Sequence, residues 1–204
     1  MFRKKLSLVL IIICAIAFAA SGFGRAVGIK AGFGLGGFSG KDASGLNPNY
    51  SFSGDVFYTQ HVAPFFAVQP EFLFIRKGCS LRGTPGGTFL TYFEIPVLLK
   101  GTLPTTGSFK PFIYAGPSLG ILLSAKAEVS GFIKETWDVK DEMNTIDLGI
   151  LLGIGTDINA GPGAIVLDFR YEPSFLNNAK KENGIQPEIK NYCFGLSAGY
   201  AMKF

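Results

Sequence analysis

The stretch YCFGLSAGYAMKF, residues 192–204, decides the fold. Tyr192, Phe194, Leu196, Ala198, Tyr200, Met202 and Phe204 are apolar or aromatic, and the residues between them are small or polar. A strict period of two gives an extended strand with one greasy face and one that is not. The stretch stops on a bare phenylalanine with no polar tail after it.

Working outward, seven further segments show the same period between turn residues. Residues 27–38 set Val27, Ile29, Ala31, Phe33 and Leu35 against Lys30 and a row of glycines. Residues 51–60 set Phe52, Val56 and Tyr58 against Ser53, Asp55 and Thr59. Residues 65–76 place Phe66, Val68, Phe72 and Phe74 opposite Gln69 and Glu71, and residues 89–100 place Phe93, Ile95, Val97 and Leu99 opposite Tyr92, Glu94 and Lys100. Residues 111–125 alternate Ile113, Leu119 and Ile121 with Tyr114, Gly116 and Ser118. Residues 145–158 alternate Ile146, Leu148, Ile150, Leu152 and Ile154 with Asp147, Gly149, Gly153, Gly155 and Asp157. Residues 164–172 alternate Ile165, Leu167, Phe169 and Tyr171 with Val166, Asp168, Arg170 and Glu172.

Most segments reach the roughly 9–11 residues a tilted strand needs to cross a bilayer. The connections alternate in length. Residues 61–64, 101–110 and 159–163 are short or turn-rich, whereas 39–50, 77–88, 126–144 and 173–190 are longer and polar. Short turns on one rim and long loops on the other mark the periplasmic and extracellular ends of an outer-membrane barrel. The expected fold is therefore all-β: an eight-stranded antiparallel up-and-down transmembrane β-barrel in the bacterial outer membrane, bathed in its lipid. Tyr200, Met202 and Phe204 are the expected C-terminal signal for the barrel-assembly machinery during insertion.

The N-terminus agrees. Arg3, Lys4 and Lys5 precede an apolar run, and Ala17-Phe18-Ala19 offers a small-x-small site, so residues 1–19 read as a signal peptide cleaved after Ala19. The run is shorter than the roughly 20 residues of a spanning helix, and Ile13 before Cys14 argues against a lipoprotein site. Residues 20–204 then form one domain. Loss of three basic residues lowers the formal charge of +4 to +1, leaving no basic patch for nucleic acid.

With the strands placed, a resemblance emerges. Gly28-Ile29-Lys30-Ala31-Gly32, Pro70-Glu71-Phe72-Leu73-Phe74 with Lys77-Gly78, Phe93-Glu94-Ile95-Pro96-Val97-Leu98-Leu99-Lys100 and Pro111-Phe112-Ile113-Tyr114-Ala115-Gly116-Pro117-Ser118 stand in these relative places. Together they resemble the PorT-like outer-membrane barrels of Bacteroidetes, often called the porin family. The resemblance implies an eight-stranded barrel. Some relatives are linked to protein secretion across the outer membrane, which makes envelope or secretion proteins candidate partners.

If the apolar face meets lipid, Lys30, Asp55, Glu71, Glu94, Lys100, Asp147, Asp157, Asp168, Arg170, Glu172 and Lys203 point inward or lie at the rims. An eight-stranded barrel is just wide enough for its side chains to fill, and buried charges must pair. The expectation is a structural polar network that closes the lumen, with a narrow selective channel as the sharper alternative. A lipocalin-like soluble carrier would instead put the apolar face inside. Catalysis, cofactors and metals are not expected. His61, the single histidine, falls in a short turn, and no serine–base pairing for a lipid hydrolase can be read. Gly32, Gly34 and Gly37 match G-x-G-x-x-G without the strand–helix context of a dinucleotide site. Small inward glycines instead leave room for Tyr92, Phe112 and Tyr114. Cys79, in the long loop 77–88, and Cys193, near the outer end of the last strand, adjoin strands that are not barrel neighbours, so free thiols are the default and a disulfide is permitted. The long loop 126–144 carries Phe132, Ile133 and Trp137, which suit a partner surface, a cover over the barrel mouth or the lipid interface.

Overall fold

The computed structural model describes residues 24–81, 86–130, 134–181 and 187–204. The signal-peptide reading and the positions of Phe132 and Ile133 lie outside these residues. Nine strands are present among them: β1 (Arg25–Ser39), β2 (Leu46–Ala63), β3 (Phe66–Leu81), β4 (Gly86–Thr102), β5 (Phe109–Ser130), β6 (Lys134–Asp138), β7 (Ile146–Ala160), β8 (Gly163–Pro173) and β9 (Lys190–Lys203). Every pairing is antiparallel. β1 pairs with β9 and β4 with β5, so β1-β2-β3-β4-β5-β7-β8-β9 close into an eight-stranded ring. Closure leaves no free edge in the ring, so each backbone group finds a partner where no water is available.

The alternation read from the sequence sets which face looks where. On β1, Ile29 is 64% exposed while its neighbour Lys30 is 4% exposed, and Leu196 on β9 is 67% exposed. Phe33, Phe72, Phe74, Ile113 and Ile154 continue this apolar exterior. Such a belt is far larger than the patches a soluble protein tolerates, and it suits hydrocarbon. The carrier-like arrangement, with the apolar face inside, is overturned by this placement. Aromatic residues stack along the outer wall, Phe33 on Tyr50 at 5.6 Å and Phe74 against Phe93 at 5.0 Å between ring centroids.

Two connections differ from expectation. β3 does not stop near Arg76; it runs to Leu81, and β4 begins at Gly86, so most of the expected loop 77–88 is strand. The cause is mutual support. β2 starts early, at Leu46, and offers Pro48 opposite Cys79, while β4 offers Thr88 on the other side. Backbone groups that a polar composition would leave to solvent thereby join a ladder. Likewise β5 extends to Ser130 and folds back on β6, which occupies the β5 edge that β7 leaves free beyond the Ile121–Ile146 pair. β6 is a ninth strand outside the ring, and it carries Trp137. The result is a wall of extended strands rising above the membrane on the extracellular side.

Candidate functional site

The lumen is where the sequence concentrates its unusual residues. Lys30 (β1), Asp55 (β2), Glu71 (β3), Glu94 and Lys100 (β4), Asp147 (β7), Asp168, Arg170 and Glu172 (β8) are all buried; Asp157 (β7) is half-buried at the periplasmic rim. They do not form one network. They separate into distinct levels along the barrel axis.

The central level gathers Lys30, Asp55, Glu71, Asp168 and Arg170 from four strands. The Lys30 Nζ lies 2.9 Å from Glu71 Oε1, 3.3 Å from Asp168 Oδ2 and 3.9 Å from Asp55 Oδ1. Arg170 reaches the same three carboxylates at 3.2, 3.4 and 3.6 Å. Neutral groups add donors to Glu71 and Asp168, whereas neither oxygen of Asp55 accepts a hydrogen bond among the described residues. Ser197 Oγ donates to Asp168, Gln69 Nε2 donates to Glu71 Oε1 at 2.7 Å, and Thr59 Oγ1 donates to Gln69 at 2.9 Å. Each cation meets several carboxylates and each of Glu71 and Asp168 meets both cations. That reciprocity is what makes burial of ions tolerable in a low-dielectric interior.

A second level, nearer the extracellular end, was missed by the sequence reading. Lys77 is fully buried and lies 2.8 Å from Glu94 Oε1 and 3.2 Å from Glu172 Oε2, with Tyr92 beside it. The expectation had placed Lys77 in a loop. The signal was present: Glu71, Leu73, Ile75, Lys77 and Cys79 continue one period-two face without a break.

Asp147 makes no ion pair among the described residues, but it adjoins the second level, since it and Glu94 both lie against Gly120. It accepts from Ser174 Oγ at 2.8 Å and from Asn191 Nδ2 at 2.9 Å, and the same Asn191 amide lies near Tyr92 and Asn178. Asn178 and Asn177 tie the β8–β9 connection down further, through Asn178 N to Ile189 O at 2.7 Å and Asn177 Oδ1 from Ile189 N at 2.9 Å. Asn177, Asn178 and Ile189 of the connection are thereby held against the extracellular end of the lumen. Lys100 pairs with Asp157 at 2.7 Å and lies 3.8 Å over the Phe112 ring at the periplasmic mouth.

Apolar layers bracket the ionic ones. Toward the periplasm, Phe57, Leu98, Phe112, Tyr114, Leu151 and Val166 pack together. Toward the outside, Leu73, Ile75, Leu90, Tyr92, Leu122 and Cys193 do the same. The rings fit because of glycines opposite them: a Cβ on Gly153 would collide with the Tyr114 ring, and one on Gly28 with the Phe57 ring. Cys79 and Cys193 are both free and buried, and the Cys193 thiol sits 3.2 Å from Ser51 Oγ.

Chemically, this interior is an alternating stack of grease and ion pairs. Ser174 and Ser197 are engaged by acids and Ser51 by the Cys193 thiol, and His61, at the periplasmic rim, makes no side-chain hydrogen bond to a serine among the described residues. Of the C-terminal trio, Tyr200 donates from its hydroxyl to Ala160 O at 2.9 Å, and Met202 and Phe204 lie exposed on the outer face.

A family described as "Outer membrane protein beta-barrel domain" matches residues 21–180. That description is broader than the PorT-like type. Among solved structures, neisserial surface protein A is 15% identical with a TM-score of 0.52, covering 89% of this chain and 97% of that one. The outer membrane protein OprG from Pseudomonas aeruginosa is 11% identical with a TM-score of 0.51, covering 88% of this chain and 95% of that one. Both are similar in fold. No curated protein sequence matches the chain.

Proposed function

This chain belongs to the outer-membrane protein β-barrel family, and from that premise we propose that it is a non-enzymatic barrel that works through the surfaces at its two ends. It is an integral protein of the bacterial outer membrane. One observation carries the reading: bulky side chains from β3, β4, β5 and β7, among them Tyr92, Phe112, Leu73, Leu98, Leu122 and Leu151, are almost wholly inaccessible inside the lumen, as is the charged cluster that β1, β2, β3 and β8 contribute. Water-filled conduits belong to wider barrels of about 16 strands. A barrel packed in this way has its rims left for function.

The extracellular rim is the richer one. The β4–β5–β6 wall presents Trp137 and Val129, which are exposed apolar residues on a surface otherwise studded with charge. Exposed loops on a rigid scaffold are where binding residues gather. The PorT-like motifs support a second reading, in which the barrel is a subunit of an outer-membrane secretion assembly.

Extraction of the tagged protein from its native envelope in mild detergent, followed by mass spectrometry, tests the proposal. A Trp137→Ala/Val129→Ser variant is run in parallel. The proposal expects a bound partner that the variant loses. A stoichiometric set of secretion components, retained by the variant, favours the assembly-subunit reading. A bare barrel carrying only bulk lipid removes the interaction role and leaves a structural one.

A further inference from the structure

We propose that the periplasmic mouth of the barrel binds a small organic anion with a hydrocarbon chain, of the medium-chain carboxylate class. A recess of about 330 Å³ opens there, at the lower end of the roughly 300–1,000 Å³ typical of small-molecule sites. Its depth comes from three alanines. Ala26, Ala164 and Ala201 are buried at the ends of β1, β8 and β9, where a larger residue would fill the space beside Phe57 and Val166. The floor is therefore hydrocarbon.

The rim is cationic. Its lining includes the side chains of Arg25, Lys100 and Lys203, facing the Asp157 carboxylate and the carboxyl group of Phe204. Lys100 and Asp157 satisfy each other at 2.7 Å, whereas neither Arg25 nor Lys203 makes an ion pair among the described residues. Lys203 donates to the uncharged amide oxygen of Asn159. The Arg25 side chain has no hydrogen-bond or ion-pair partner among the described residues; only its backbone is engaged, with Phe204. An apolar floor rejects a fully polar ligand, because its buried polar groups would go unpaired. A rim with two cations free of ion pairs gains little from a neutral amphiphile and more from an anion. The shared solution is a carboxylate at the rim with its chain on the alanines.

The test uses the folded barrel in lipid nanodiscs with isotope-labelled alanine methyls, titrated with octanoate and followed by NMR. The expected result is a saturable shift of the Ala26, Ala164 and Ala201 methyls. Octanol tests the chain without the charge and should bind at least about tenfold more weakly, the worth of a charge-assisted hydrogen bond; inorganic phosphate tests the charge without the chain and should also bind at least about tenfold more weakly, for want of the buried methylenes. Arg25→Gln/Lys203→Gln should weaken octanoate by about tenfold or more on the same grounds, while the variant keeps the gel mobility of the folded barrel. Ala201→Leu should abolish the shift by filling the recess. The proposal is overturned if these methyls do not respond, if octanol or phosphate saturates them as well as octanoate, or if the double variant binds unchanged.

Discussion

Replacing Lys30 with methionine is the most telling single perturbation of the lumen. The Lys30 side chain is wholly inaccessible to solvent and serves three carboxylates within 3.9 Å. Its loss leaves Arg170 as the one cation facing Asp55, Glu71 and Asp168 in that cluster. Methionine restores much of the volume, so the cost is electrostatic. Breaking a buried ion pair by removing one partner costs about 3–5 kcal/mol. Adding Glu71→Gln takes away one of the stranded acids while keeping an oxygen to accept from Gln69, so the double variant should recover part of that loss. The coupling between the two sites should reach about 1–3 kcal/mol. The assay is urea unfolding of the barrel in lipid vesicles, followed by circular dichroism and by mobility on unboiled gels. A Lys30→Met variant within about 0.5 kcal/mol of the parent, the range of an ordinary surface change, would refute the reasoning. So would a double variant whose loss equals the sum of the singles.

Other consequences are as direct. Ile154→Arg puts a charge on the lipid face at a residue that is 60% exposed; near the bilayer midplane this should cost about 2–4 kcal/mol and reduce assembly in the outer membrane, measured as heat-modifiable protein per cell. Gly153→Ala drives a methyl into the Tyr114 ring, and equilibrium unfolding should show a loss of about 1–3 kcal/mol that Tyr114→Leu partly relieves. Asn191→Ala removes the amide that holds Asp147, Tyr92 and Asn178 together. Limited proteolysis should then cut the β8–β9 connection while the barrel stays intact, because local opening there no longer requires global unfolding.

Much of this architecture is legible in the chain because a barrel exposes its rule at every residue. Ile29 and Lys30 differ in exposure for no reason but parity, and the same parity correctly faces Phe72 outward and Glu71 inward. The reading failed where composition competed with parity. Lys77-Gly78 looks like the start of a turn, yet neighbouring strands that also run long hold it in the sheet. β6 has neither a hydrophobic period nor length; it forms because β5 offers an unpaired edge. The partners of each charge were beyond reach for another reason. Lys30 and Asp168 are 138 residues apart in sequence, and only the register of every intervening strand brings them to one level. For the same reason the chain names inward acids without telling that Asp147 is held by Asn191 and Ser174, whereas Glu94 and Glu172 pair with Lys77.

The claim that the lumen is packed shut by its own ion pairs is tested most directly by single-channel recording of the folded protein in planar lipid bilayers. The account predicts no discrete conductance steps above the bare-membrane baseline. Reproducible steps whose size or ion selectivity changes in Lys30→Met or Glu94→Gln would contradict it, and would make the buried carboxylates the lining of a conduit.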